Sequence, residues 1–248
     1  MNLPFDLSPL AAAFLAVTLL GAAFVRGYSG FGFAALVVSA SGLVTNPLNL
    51  VPVVLLADVA MTAQQAAEIR GQIDWRRVGT LFLGALVGVP IGLWALTGIG
   101  IDAARAAISV YILLMCGLLL SGWRFQRVVG DGGHVAAGLV SGLANGAAVG
   151  GLPVAAFFAA QPVSAATFRA TLIAYFTLLD LWTLPLMWQR GMITDQTLQA
   201  TVLALPFMIL GIWAGGRHFL STEPQNFRRF AIWLLAVLAG LGLVKSVM

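Results

Sequence analysis

Val25-Arg26-Gly27-Tyr28-Ser29-Gly30-Phe31-Gly32-Phe33 sets a permanent charge and three glycines between two long apolar runs. Its surroundings decide how it is read. Of 248 residues, 60% are hydrophobic and 9% charged, whereas soluble domains carry about 25% charged residues. A chain of this kind belongs in a lipid bilayer. With roughly 20 apolar residues per spanning helix, its length allows about eight to ten spans and little else. Three readings of the stretch then compete: Ser29 as a nucleophile, Arg26 as an anion ligand, or both as packing.

Working outward, apolar runs fall near 8–26, 30–44, 48–68, 78–98 and 104–122, then 133–148, 150–161, 166–188, 197–216 and 228–247. The runs at 30–44 and 150–161 are short for a crossing and predict broken or re-entrant helices. The ten runs read as five repeated. An offset of 119 aligns Gly27 with Gly146, Gly32 with Gly151, Gly92 with Gly211 and Trp94 with Trp213. One inserted residue brings Arg70-Gly71-Gln72-Ile73 onto Arg190-Gly191-Met192-Ile193. The expectation is an all-α polytopic bundle with an inverted five-plus-five repeat, 1–123 and 124–248, in one membrane domain.

Charge placement agrees with that division. With the loop 69–77 on one side, that side collects Arg70, Arg76, Arg77, Arg124, Arg127, Arg169, Arg217, Arg228 and Arg229. The other side receives Arg105, Arg190 and Lys245. Basic residues favour the cytoplasmic face, so both termini are expected outside an inner membrane. This pattern also accounts for the net charge of +4 without a nucleic-acid partner, because no basic run with interleaved aromatics tracks a phosphate backbone. Cys116 is the single cysteine, which excludes an internal disulfide and a multi-cysteine metal site. Asp6 and the lack of a basic leader predict a retained first helix. No cofactor is expected, and nothing in the chain sets an oligomeric state.

A serine nucleophile needs a base, usually histidine. His134 opens its apolar run and His218 follows Arg217, so both are expected near headgroups. An anion site fits the stretch better. A charge at membrane depth costs about 3 kcal/mol on insertion scales and normally meets a partner, water or a ligand. Gly27, Gly30 and Gly32 allow a tight break, and a helix starting there would turn unpaired amides and a positive dipole end toward an anion. The equivalent of Arg26 is Asn145, in the glycine-dense stretch Ser141 to Pro153. Two such breaks at matching places are the sequence mark of a transporter site. Arg26, Gly27, Tyr28, Ser29, Gly30 and Gly32 are therefore expected to meet Asn145, Gly146, Gly150 and Gly151 around a small anionic substrate.

Asp58 shares a helical face with Thr62 and Gln65; it is either a proton acceptor coupled to transport, a partner for Arg26, or a structural hydrogen-bonding group. Tyr175, Thr177 and Asp180 occupy the matching run, with Thr177 the repeat equivalent of Asp58. Arg169 is expected at the cytoplasmic end for orientation alone.

The paired glycine-rich breaks, the loop Glu68-Ile69-Arg70-Gly71-Gln72-Ile73-Asp74-Trp75-Arg76-Arg77 and the following Leu83 to Ala95 resemble the sulfite exporter TauE/SafE family of membrane permeases. Gly150-Gly151-Leu152-Pro153 fits the family's glycine stretch well. The first break departs from it by carrying Arg26 and lacking a triple glycine and a proline. The resemblance implies export of sulfite or a small organosulfur anion such as a sulfonate, by alternating access and without enzymatic chemistry. Uptake of a carboxylate or another inorganic anion is the alternative within transport. An intramembrane serine hydrolase and a membrane assembly factor are the alternatives outside it. Uniport and proton coupling both remain open, since the membrane potential alone drives anions outward by ~2.3 kcal/mol per charge at 100 mV.

Overall fold

The computed structural model describes residues 3–125 and 129–219, with eight further helical positions between 232 and 244. Among the described residues, nine α-helices precede residue 220: α1 (Pro9–Ser29), α2 (Phe33–Ser41), α3 (Pro47–Ile69), α4 (Trp75–Thr97), α5 (Ile101–Leu120), α6 (Asp131–Asn145), α7 (Gly151–Ala159), α8 (Ala165–Gln189) and α9 (Asp195–Phe219). Six of them are long and apolar enough to cross a membrane, and the described residues contain no strand. The tenth expected run, 228–247, falls largely outside the described residues, as do Arg127, Arg228, Arg229 and Lys245.

Local chemistry places the helix starts. Ser8, Asn46, Asp74 and Ser164 each cap a helix by accepting from a backbone N–H two or three residues on, and Pro9 and Pro47 occupy first-turn positions that need no N–H. The short helices α2 and α7 differ. Each has nine residues, begins after a glycine and lacks a side-chain cap.

Contacts at the two ends of the bundle show how these short helices run. At one end, Phe5 N donates to Gln196 at the start of α9 (3.0 Å), and Arg190 after α8 donates to Thr97 at the end of α4 (2.9 Å). Gly42, after α2, lies against Arg105 of α5 at this same end. At the opposite end Arg76 pairs with Asp131, and Phe125 N donates to the Ala160 carbonyl after α7 (3.0 Å). The hairpin α1–α2 thus enters and leaves at the first end, and α6–α7 at the second. The short runs at 30–44 and 150–161 are the returning arms of these hairpins, so neither spans the bilayer. Nine residues at 1.5 Å each reach about 14 Å, under half the hydrocarbon thickness.

Two close helix crossings hold the hairpins. The α4 glycines Gly84, Gly88 and Gly92 lie against the α6 backbone at Val135, Leu139 and Leu143, while Gly138 of α6 meets the Leu81 carbonyl. In the other crossing Gly211 and Gly215 of α9 meet α1 carbonyls at Leu20 and Phe24. Lipid gives helices no hydrophobic reason to associate, so backbone approach at small residues supplies the packing. A methyl group at residue 138 would collide with backbone. Gly138→Ala should therefore destabilise the protein by about 1–3 kcal/mol in thermal unfolding in detergent. Gly79→Ala, on an open face of α4, should leave stability unchanged or slightly raised. Equal behaviour of the two variants would refute this crossing.

Candidate functional site

The tips of the hairpins lie together inside the bundle. Gly30 caps α1 in the left-handed region (φ 81°), with its N–H bonded to the Arg26 carbonyl at 2.8 Å, and Gly32 starts α2 at φ 92°. These are angles that side-chain-bearing residues rarely adopt. In the second break, 146–150, the left-handed residue is Ala148 (φ 56°), a conformation costing a non-glycine about 1–2 kcal/mol. Between the tips lies a cavity of about 40 Å³. The first turn of α2 (Phe33, Ala34, Ala35) and the start of α7 (Gly151, Leu152) both line it. Both helix starts lack a side-chain cap, so each brings a positive dipole end to the cavity lining.

Arg26 sits on the last turn of α1 with 1% exposure. Its Nε and Nη2 form a forked ion pair with Asp58 of α3. Nη2 also donates to Thr62 at 3.0 Å, and Nη1 donates to Gln65 at 2.7 Å. Asp58, Thr62 and Gln65 are one helical turn apart, so a single face of α3 receives the whole fork. Four of the five guanidinium N–H groups are engaged by these contacts. The fifth, on Nη1, has no hydrogen-bond acceptor among the described residues.

Asn145, the last residue of α6, repeats the arrangement in neutral form. Its Nδ2 donates to Thr183 of α8 at 2.9 Å and lies 3.4 Å from Asp180 Oδ1. Asn145 and Asp180 line the same cavity as Arg26 and Asp58. The counterpart of Asp58 in this network is therefore Asp180, one turn beyond Thr177. Thr177 instead meets Thr62 across the α3–α8 contact, hydroxyl to hydroxyl at 2.8 Å.

The other expected site residues separate by role. Gly32 and Gly151 line the cavity, Gly151 with the Phe176 ring against it. Gly27 lies within helix α1, against Ile212 and Gly216 of α9, so the break starts three residues later than its glycine pattern suggests. Gly30 packs against the Arg169 backbone, Gly146 against Leu93 of α4, and Gly150 against Ser141 and Asn145. Tyr28 is buried beside the His218 ring. The Ser29 hydroxyl lies within donating distance of the Val25 and Phe31 carbonyls (2.8 and 3.0 Å), which makes it part of the turn. Tyr175 is buried beside Phe176, and it is Phe176 that reaches the cavity wall.

Two features lay beyond the sequence reading. Arg169 is buried (4% exposed). Its Nε donates to the Gly27 carbonyl at 3.0 Å and its Nη1 pairs with Glu68 at 2.9 Å, tying α8 to α1 and α3. The residue was visible as a basic group near a helix start, but its carbonyl partner follows from the fold alone. His134, expected near headgroups, is also buried (3%), with Nδ1 at 3.0 Å from the Gly130 carbonyl and its ring edge-on to Phe157. Its neighbours Gly132 and Gly133 let the helix start sink against α7 (Gly133 lies near the Phe157 ring).

Re-entrant hairpins meeting at a buried charged cavity within a bundle of spanning helices define a multi-pass membrane permease. The family model for the sulfite exporter TauE/SafE family matches residues 14–241, and the chain belongs to that family. It is 30% identical to a probable sulfite/organosulfonate exporter TauE of Cupriavidus necator, with 90% of each chain covered. It is also 26% identical to a probable inner membrane transporter protein TsaS of Comamonas testosteroni, covering 77% of this chain and 81% of that one. No solved structure matches the chain.

Removing one member of a buried ion pair leaves the other uncompensated, a loss of about 3–5 kcal/mol. Arg26→Met should show that loss in detergent unfolding, and adding Asp58→Leu should recover a large part of it. A double variant no more stable than Arg26→Met would show that the pair does not couple.

Proposed function

We propose that the protein exports a small sulfur oxyanion, sulfite or an organosulfonate, across the cytoplasmic (inner) membrane by alternating access. The observation that carries this reading is the shared cavity. Arg26 and Asn145, contributed by hairpins entering from opposite ends, line one buried space together with the first residues of α2 and α7. Guanidinium, side-chain amide and backbone N–H are all donors, as an oxyanion requires. A volume of about 40 Å³ corresponds to two or three waters, near the size of a sulfite or sulfonate head. The names of the relatives bring the sulfur chemistry; the residues themselves speak for a small oxyanion.

Alternating access rests on the division into repeats 1–123 and 124–248. Exchanging α1–α4 with α6–α9 turns the α1–α9 crossing into the α6–α4 crossing and leaves the α3–α8 and α2–α7 contacts in place. This exchange supports an inverted repeat, whose two halves rock about a fixed central site. The Arg169–Glu68–Gly27 tie lies at the end carrying Arg70, Arg76 and Arg77, which the basic-residue bias places in the cytoplasm. On this orientation both chain termini lie outside. Ser29 supplies no nucleophile in this reading, because its hydroxyl is held by its own turn.

Purified protein in liposomes should carry sulfite or a short alkyl sulfonate down a gradient. Arg26→Gln should reduce that flux by about tenfold or more, as loss of a charge-assisted contact worth about 1.5–3 kcal/mol implies. Sulfite should also raise the melting temperature of the wild type and not that of Arg26→Gln. A wild-type protein that moves neither anion would refute the assignment.

A further inference from the structure

The cavity holds one fixed positive charge and two carboxyl groups, and this imbalance has a consequence for what crosses the membrane. Arg26 is matched by Asp58 through a forked ion pair. Asp180, 5% exposed, forms no ion pair among the described residues: its hydrogen-bonding neighbour is the Asn145 amide at 3.4 Å. Its carboxyl also lies within reach of the Asp58 carboxyl. An incoming anion must enter beside this group, since Asp180, Arg26, Asn145 and the two helix starts line the same 40 Å³.

The groups facing Asp180 are few. Arg26 comes from α1, Asp58 from α3 and the Asn145 amide from α6, with Tyr175 five residues earlier on α8. The residues of α2 and α7 at the cavity are apolar or glycine. On α4, Arg76 and Arg77 occupy the first turn, engaged with Asp131 and with Asp74 and the Phe158 ring. No second cation among the described residues therefore balances an anion and an ionised Asp180 together. Two like charges packed into a small buried space cannot both persist, and the second carboxyl takes a proton instead.

We propose that Asp180 binds a proton together with the anion, so that the two cross as an electroneutral pair. The inference rests on the anion-export reading and adds its coupling. Protonated Asp180 becomes a donor to the anion, joining Asn145 and the free Nη1 hydrogen of Arg26. When the anion leaves, the Asn145 amide is again free to receive a carboxylate, and Asp180 releases its proton to the side on which the cavity is open. The proton comes from water on one side and returns to water on the other, so no other reactant is needed. The anion gradient and the pH gradient together then set the driving force, and the membrane potential contributes nothing to a singly charged passenger.

Electrical coupling in proteoliposomes tests this. Flux of an alkyl sulfonate, or of sulfite under mildly acidic conditions where it is hydrogensulfite, is measured with a potassium–valinomycin potential of either sign. The wild type should change its flux by less than about twofold on reversal of the potential, whereas uniport of a monoanion would follow it by about tenfold or more. A lumenal pH dye should register proton movement with the sulfonate, which has no titrating proton of its own near neutrality. Asp180→Asn should abolish that proton movement and make the remaining flux follow the potential. Asp180→Glu, which keeps the carboxyl, should restore proton movement, and this rescue separates a proton carrier from a merely structural residue. Wild-type flux that tracks the potential without proton movement overturns the proposal. Absence of flux for both anions overturns instead the export reading on which it stands.

Discussion

A guanidinium inside hydrocarbon fixes much of this architecture. Leaving Arg26 unmatched at membrane depth would cost several kcal/mol, so α1 must end where its last turn faces Asp58, Thr62 and Gln65 of α3. Once that fork is satisfied, the position of the Gly30–Gly32 turn is set, and with it the start of α2 beside the cavity. The ion pair also adds little net stability, because desolvating both groups offsets their attraction. Its importance is positional: it holds a charged donor at a depth where no apolar side chain could present one to a ligand.

Backbone accounting supplies the second constraint. A spanning helix satisfies its own amides, and a break inside the bilayer is tolerated only where protein or a polar space receives them. Here the breaks of two hairpins meet at one cavity, which receives both helix starts and is the proposed ligand site. The α4–α6 and α1–α9 crossings make this possible at close range. Their glycines bring backbone onto backbone and keep the long arm of each hairpin fixed while the short arm returns. A bulkier interface would push the tips apart and widen a space suited to a few heavy atoms.

Much of this was legible in the chain. Composition gave the bilayer, glycine clusters gave two breaks, and the shortness of 30–44 and 150–161 gave returning helices. The first break was misplaced by three residues because glycines permit both turns and close crossings, and Gly27 serves the second use. Pairings between helices were harder. Asp58 could be read as a proton acceptor, a partner of Arg26 or a structural group, since the sequence places it on a face of α3 without saying what faces it. Asp180 was obscured by the repeat alignment, which points to Thr177; one helical turn of drift between the halves moves the carboxyl out of register. Arg169 looked like an orientation charge, and only the approach of α8 to α1 gives it the Gly27 carbonyl.

The inequality between the two halves has a physical logic. Where the first hairpin ends in arginine, the second ends in asparagine, and each meets an aspartate on the long helix that follows. A second arginine at 145 would hold Asp180 permanently ionised, leaving a site with two fixed pairs and no titrating group. Asparagine donates a hydrogen bond to either protonation state without adding charge, so Asp180 stays free to change its own. In the proposed cycle the matched pair supplies a standing donor, and the unmatched carboxyl supplies a charge that is cancelled when a passenger arrives. Asn145→Arg should accordingly leave the empty cavity neutral, with Asp180 held ionised, and convert paired anion–proton movement into movement of the anion alone. The sign of the potential dependence in liposomes reads that conversion directly, and an electroneutral Asn145→Arg transporter would contradict it.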